Sequence, residues 1–282
     1  MTRQYAYFPG CTLSTTATDY DASGRAVATA LGIDLAELDD WNCCGATFPL
    51  NTENVMDMLA PARILIAAEE QGNDVTALCA VCFNVLKRSD HFLRTHPEAT
   101  RRLNLFVEEG DYTGTVRVRH LLDILRDDVG WEAVRARTTT PLRGMRLAPY
   151  YGCLLLRPQA EMTLDDPEAP TILHDLIAAL GAQPVSFPDQ AECCGSYLLV
   201  SQPKASERLS GRVVDSARQA GAEMIVTACP LCQYNLSEAQ RHLPDEQRLP
   251  VVYFTQVMAA AFGLPEYAGS VIVPEVGYDR EA

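Results

Sequence analysis

Two short stretches, Cys43-Cys44-Gly45 and Cys193-Cys194-Gly195, constrain this chain more than anything else in it. Adjacent cysteines followed by glycine are uncommon, and here each copy has the same companions. A Gly-Cys lies upstream, at Gly10-Cys11 and Gly152-Cys153, and a Cys-x-x-Cys lies downstream, at Cys79 to Cys82 and Cys229 to Cys232. These two sets of five account for all ten cysteines. From Cys44 to Cys79 is 35 positions, and from Cys194 to Cys229 is again 35. Equal intervals around equal motifs mark an internal duplication.

The flanking pattern repeats with the cysteines. Gln4 to Phe8 reads as a strand running into Cys11, Thr15 to Leu31 as a helix stopped by Gly32, and Ile33 to Leu38 as a second strand. A helix from Asn51 to Gln71, capped by Asn51 or Thr52, precedes a strand from Asp74 to Leu78 that delivers Cys79. Phe83 to Leu93 continues as helix, and a strand at Val116 to Val118 leads to a helix over His120 to Leu125. The second half replays this order. Its strands are Arg146 to Tyr150, Gln183 to Phe187, Met224 to Ala228 and Val251 to Tyr253. Its helices are Thr171 to Leu180, Ser206 to Ala220 and Thr255 to Phe262. Alternating strands and helices imply an α/β protein of two pseudo-symmetric halves, each a mainly parallel sheet with flanking helices. The domains are expected at 1–140 and 141–264, joined through Arg135 to Gly144, with 265–282 as a tail, either an arm or a mobile end. The cysteines then cluster at the carboxyl ends of the strands, the edge where open parallel sheets gather ligands.

Composition narrows the chemistry. The 282 residues carry a formal net charge of −14, which excludes a nucleic-acid partner that needs a basic face. No apolar run approaches the roughly 18–20 residues of a membrane span, and no secretory signal is apparent, so a cytoplasmic location is expected. Ten cysteines in a reducing compartment point to metal or redox chemistry instead of disulfides. A structural zinc takes four ligands, leaving one cysteine of each five idle. A cubane iron–sulfur cluster also takes four. All five are used if the cluster is larger or more open than a cubane, or if one sulfur bridges two irons. An iron–sulfur cluster in each half, one cluster with one zinc, and structural metal or redox-sensing thiols all remain open from the residues alone.

The motifs resemble those of the B subunit of heterodisulfide reductase, a family marked by two Cys-Cys-Gly cysteine motifs. The resemblance runs from Phe8-Pro-Gly-Cys11 through Tyr151-Gly-Cys153 to Cys229-Pro-Leu-Cys232. It implies a non-cubane 4Fe-4S cluster held by Cys11, Cys43, Cys44, Cys79 and Cys82. A second would be held by Cys153, Cys193, Cys194, Cys229 and Cys232, with zinc as the alternative at one site. It further implies a cleft between the clusters where a disulfide substrate is reduced, in methanogens the mixed disulfide of coenzymes M and B. Each cluster passes one electron, so two flanking one S–S bond match a two-electron reaction. No ferredoxin-type cysteine run and no Gly-x-Gly-x-x-Gly dinucleotide loop is present. The resemblance supplies the missing donors as partners: a cubane-cluster subunit, fed in turn by a flavin subunit. Similar motifs occur in subunits of other oxidoreductases, so the alternative is an electron-transfer subunit without its own substrate site. A zinc-stabilised structural protein is the third reading.

Outside the cysteines the signals are weaker. Arg157 and Lys204 lie close to the motifs and are the candidates for an anionic substrate tail. The five histidines read as surface or capping residues. Asp165-Asp166 reads as a helix start. The apolar run Val251 to Phe262 reads as core, with partner docking as its alternative.

Overall fold

The computed structural model describes residues 3–46 and 55–271. Each half holds a four-stranded, wholly parallel sheet, and the two have the same strand order. In the first, β1 (Arg3–Tyr7) lies between β2 (Ile33–Glu37) and β3 (Val75–Ala77), and β4 (Val118–His120) pairs with β3. In the second, β5 (Arg146–Tyr150) lies between β6 (Gln183–Pro184) and β7 (Met224–Thr227), and β8 (Val251–Tyr253) pairs with β7. Parallel neighbours cannot be joined by a tight hairpin, so each crossover carries a helix. In the first half these include α1 (Gly10–Leu13), α2 (Thr18–Ala30), α3 (Leu59–Gln71), α4 (Ala80–Thr95), α5 (Pro97–Asn104), α6 (Leu121–Ile124) and α7 (Trp131–Arg137). In the second they are α8 (Gln159–Met162), α9 (Ile172–Ala179), α10 (Pro203–Gln219), α11 (Pro230–Glu238) and α12 (Phe254–Ala261).

Strand order places the cysteines. In each half the chain moves outward in one direction from β1 to β2 and in the other from β1 to β3. The gap between β1 and β3 is therefore the topological switch point, where a crevice opens at the strand carboxyl ends. Cys11 follows β1 and Cys79 follows β3, so they flank it. Cys153 and Cys229 flank the gap between β5 and β7 in the same way.

The halves dovetail. α2 of the first half packs on α12 of the second, and α9 of the second packs on α6 and α7 of the first. At the first contact Tyr20 stacks on Tyr253, with ring centroids 4.0 Å apart and planes 3° from parallel. Ser23 and Thr255 share a buried hydroxyl hydrogen bond of 2.6 Å. Gln256 donates to Asp19 across the same seam at 2.9 Å. A side chain at Gly24 would meet Leu78 Cδ2 at 2.0 Å, so glycine lets α2 lie close to the strand end.

The two halves also meet through the backbone. The Ala80 N–H donates to the Ala228 carbonyl at 3.0 Å. The reciprocal bond, from position 230 to the Leu78 carbonyl, has no donor because residue 230 is proline. The Leu78 carbonyl is satisfied instead by the Tyr20 hydroxyl at 2.6 Å and His120 Nε2 at 2.8 Å. His120 also accepts from the Leu122 N–H through Nδ1, which caps α6 and fixes the proton on Nε2.

Several expectations shift in detail. The helix expected over Asn51 to Gln71 is a 3-10 turn at Val55–Met58 followed by α3, and its expected caps lie outside the described residues. The strand expected over Gln183 to Phe187 pairs only at Gln183–Pro184. The joining segment is shorter than expected, since α7 extends to Arg137 and packs against α9. Val251 to Phe262 is buried throughout and forms the dovetail, so it offers no docking face. The start of the expected tail is not an arm: Ala268 and Val271 are buried, while 272–282 lie outside the described residues. His120 caps as expected but is fully buried and not at the surface.

Burial lowers the pKa of His120 to about 4. The unfolded chain therefore takes up a proton that the native state refuses between roughly pH 6.5 and 4, and stability falls as pH drops through that window. Buried Asp123, raised to about 6, acts in the opposite sense. The difference between the natural protein and His120→Gln isolates the histidine. Between pH 7 and 5 that difference should change by about 2 kcal/mol in urea unfolding, the natural protein losing more. A pH-independent difference would refute this account of His120.

Candidate metal centre

At each switch point five sulfurs form a string in the same order. In the first half Cys11 Sγ lies 3.9 Å from Cys43 Sγ, and Cys44 Sγ lies 3.7 Å from Cys82 Sγ. Cys43 interacts electrostatically with Cys44, and Cys82 with Cys79, which completes the series. In the second half Cys153 interacts in the same way with Cys193, Cys193 with Cys194, and Cys232 with Cys229. Cys194 Sγ and Cys232 Sγ are 3.5 Å apart. These gaps far exceed the S–S bond length of about 2.05 Å, and all ten cysteines are free.

Local structure explains the string. Cys79 and Cys229 sit at the N-caps of α4 and α11, with Cys82 and Cys232 in the first turns. Helix N-termini favour thiolate over thiol. Pro230 fits the first turn of α11, where its missing N–H has no helical partner to lose. Gly10 and Gly152 adopt φ of +73° and +63°. A Cβ at Gly10 would stand 2.7 Å from Cys82 Sγ, and one at Gly152 would stand 3.3 Å from Cys232 Sγ. Glycine is therefore what lets the β1 and β5 loops close on the helix-borne sulfurs. Gly195, at φ +80°, turns its N–H toward Cys193 Sγ at 3.3 Å.

The electrostatics of each string are unfavourable without a cation. The hydrogen bond from Cys82 holds the Cys44 thiol down, to about 7, while the same contact, with that to Cys79 and burial, drives Cys82 up. In the second half the bonds from Cys153 and Cys194 hold Cys193 well below the ordinary thiol range. Cys153 rises through its bond to Cys193, and Cys232 through its bonds to Cys194 and Cys229. Within a set, one sulfur becomes an anion only if its neighbours stay protonated. Bound metal removes that conflict by supplying positive charge to all of them. Soft sulfur donors suit iron–sulfur clusters, zinc or Cu(I). Among the described residues, no group of three or more His, Cys, Asp or Glu side chains is arranged to hold one ion. By donor chemistry the two sulfur sets are consistent with iron–sulfur binding.

The two strings lie next to each other. The backbone bond from Ala80 to Ala228 joins residues adjoining Cys79 and Cys229. The Tyr197 hydroxyl, two residues past Gly195, donates to the carbonyl of Ala46, directly after Gly45, at 3.1 Å. Burial raises Tyr197 to about 12, and sulfurs of both sets, Cys153, Cys229, Cys44 and Cys193, push the same way. Tyr20 and Tyr253 likewise feel Cys79 and Cys229 together.

Of the two residues expected to meet an anionic substrate, Arg157 is committed elsewhere. Its guanidinium donates to the carbonyls of Ala191 and Pro167 and to Glu168, bracing the loop before the second Cys-Cys turn. Lys204 is exposed in the first turn of α10. Asp165 caps α9 by accepting from the Thr171 and Ile172 N–H groups, as expected of a helix start. Sequence reasoning missed Tyr20 and Tyr253, which reach the sulfurs from distant segments, and Tyr197 and Asn235, which lie three residues after Cys194 and Cys232 but whose contacts depend on tertiary closure. The one available signal was the equivalence of the halves. Asn235 and Val85 each lie three residues after the last cysteine of their set, and they differ in polarity.

Known proteins share these features. The family model described as a cysteine-rich domain, CCG, matches residues 5–87 and again 147–237. A protein of Wolinella succinogenes named 8-methylmenaquinol:fumarate reductase membrane anchor subunit is 32% identical over 94% of this chain and 94% of its own length. A protein of Archaeoglobus profundus, named for its likeness to the B subunit of heterodisulfide reductase, is 32% identical over 96% of this chain and 94% of its own. The B subunit of a ferredoxin/F(420)H(2)-dependent CoB-CoM heterodisulfide reductase from Methanosarcina acetivorans is 29% identical over 91% and 88%. Among solved structures, a hypothetical protein from Helicobacter pylori superposes with a TM-score of 0.72 at 13% identity. That match covers 93% of this chain and 49% of the other, and shows a shared fold.

The glycine geometry ranks two substitutions. Both Gly10→Ala and Gly152→Ala force a side chain into positive φ, at about 1–2 kcal/mol each. Gly10→Ala also drives a methyl group into a sulfur at 2.7 Å, whereas at Gly152 the corresponding approach is 3.3 Å and needs a smaller adjustment. Gly10→Ala should unfold at a lower temperature and retain less metal than Gly152→Ala. Equal losses would show that the close approach to Cys82 is not what requires glycine.

Proposed function

The chain belongs to the CCG cysteine-rich family that includes the B subunit of heterodisulfide reductase, and on that premise we propose that it is the catalytic iron–sulfur subunit of a disulfide-reducing complex. The observation that carries the reading is the pair of five-sulfur strings, alike in order and adjacent across the seam. Cys11, Cys43, Cys44, Cys79 and Cys82 would hold one non-cubane 4Fe-4S cluster, and Cys153, Cys193, Cys194, Cys229 and Cys232 the other. When bound, such clusters supply one electron each. A disulfide reduced to two thiols needs two electrons and two protons, so two one-electron centres beside one S–S bond satisfy the electron count.

The chain's own groups shape that gap. Tyr197 stays protonated at neutral pH and places a hydroxyl between the two Cys-Cys turns. Its O–H is given to the Ala46 carbonyl, so Tyr197 ties the two Cys-Cys turns together and fixes their spacing. Tyr20, Tyr253 and Phe254 pack as a buried aromatic seam between the halves, away from water. Lys204 remains the candidate for an anionic substrate group. Electrons come from outside the chain, from a cubane-cluster subunit fed by a flavin subunit, and free thiols suit the cytoplasm.

The fumarate reductase relative favours a second reading. It aligns along nearly its full length with this chain, and its name places it in a different reductase as a membrane anchor. Among the described residues of this chain no helix is long and apolar enough to cross a membrane. The same two clusters would then pass electrons to a partner without meeting a disulfide.

Metal and acid-labile sulfide analysis should find iron and sulfide in equal amounts, and zinc in place of either cluster would end the two-cluster reading. Titrating the reduced protein with disulfides of differing charge should produce a new paramagnetic signal with at least one. If every disulfide leaves the spectrum unchanged while a partner subunit still exchanges electrons, the relay reading replaces the catalytic one.

A further inference from the structure

The two sulfur strings match in order but not in their surroundings. Asn235, on α11, is 4% exposed and points its amide at the second string. Its Nδ2 lies 3.8 Å from Cys194 Sγ and 3.3 Å from Ser206 Oγ, so both amide hydrogens are engaged. Its Oδ1 is buried without a partner. The equivalent residue of the first half, Val85, is also buried and has no donor to give. We propose that Asn235 is a tuning residue: its amide N–H raises the reduction potential of the C-terminal cluster through Cys194, and Val85 withholds that bond from the N-terminal cluster. The proposal rests on the iron–sulfur reading above.

Three points carry it. First, a metal-bound thiolate accepts hydrogen bonds and cannot donate one, so the N–H side of the amide must face Cys194. Second, reduction adds negative charge that spreads onto the ligand sulfurs, and a donor there stabilises the reduced form more than the oxidised one. Burial strengthens the effect because water does not screen it. Third, an unpaired buried carbonyl is a cost that an apolar residue of similar size avoids, as Val85 does. Packing alone therefore gives no reason for asparagine at this position.

Other contacts near the sulfurs do not distinguish the clusters in this way. Thr12 approaches Cys11 at 3.8 Å, but at an exposed edge where water offers the same bond. Tyr150, which replaces Phe8 beside the second string, donates its hydroxyl to the Glu192 carbonyl at 2.8 Å and not to a sulfur. Ser210 donates to the Cys194 carbonyl at 2.7 Å and so reaches the backbone, not Sγ.

The test is a redox titration followed by electron paramagnetic resonance on the cluster-loaded chain. Asn235→Leu keeps the branching of the side chain and removes the donor. It should shift one signal toward lower potential by about tenfold in the one-electron equilibrium, about 59 mV, and leave the other in place. Ser206→Ala, which removes the amide's other partner, should move neither. Val85→Asn should raise the potential of the other signal, and it decides the matter if Asn235→Leu fails to retain its cluster. The inference is overturned if Asn235→Leu moves neither signal or both equally, or if Ser206→Ala has the same effect as Asn235→Leu. Absence of any iron–sulfur signal from the natural chain would remove the reading itself, and the inference with it.

Discussion

The structure depends on gathering five sulfurs at one crevice when those sulfurs cannot all be anions together. Strand order creates the crevice, and in each half the loop after the first strand, one helix N-terminus and a Cys-Cys-Gly turn bring the donors to it. Left as thiols, the groups settle into an uneven pattern, with Cys44 and Cys193 favoured as anions at the expense of their neighbours. Bound metal would remove the unevenness, and folding and metal loading would then be linked, because the free energy of binding metal at such a site is partly the free energy of completing the fold.

The same constraint explains why the halves are merged so closely. A sheet of four short strands has little core of its own, and each half lends helices to the other. α2 rests on α12, and α9 rests on α6 and α7. The Tyr20–Tyr253 stack at the first of these contacts lies within reach of sulfurs from both sets. Packing that holds the halves together thus also fixes the separation of the two sets of sulfurs. A conventional linker between independent domains would leave that distance free to vary.

Much of this was legible in the sequence, because duplication turns one chain into two readings of the same fold. The strand before Cys153 and the helix stops at Gly32, Gly72, Gly181 and Gly221 follow from alternation and glycine alone. What could not be read was contact across the halves. Val251 to Phe262 showed its apolar character but not its partner, α2. Arg157 showed its charge and proximity to Cys153 but not the two carbonyls that hold it in place. His120 looked remote from every motif, yet it donates to the carbonyl immediately before Cys79. In each instance local sequence specifies the residue's nature, and only tertiary closure specifies what it meets.

The backbone hydrogen bond from Ala80 to Ala228 has an evolutionary consequence. Two separate copies of one ancestral half, related by a two-fold axis, would form that bond twice. Proline at position 230 leaves it formed once, and Tyr20 with His120 has taken over the stranded carbonyl of Leu78. Such a substitution is tolerable once the two partners differ in sequence, because only one of them then gives up the donor. A second half paired with a copy of itself would lack this backbone bond on both sides, so the asymmetric pair keeps one bond that the symmetric pair would lose.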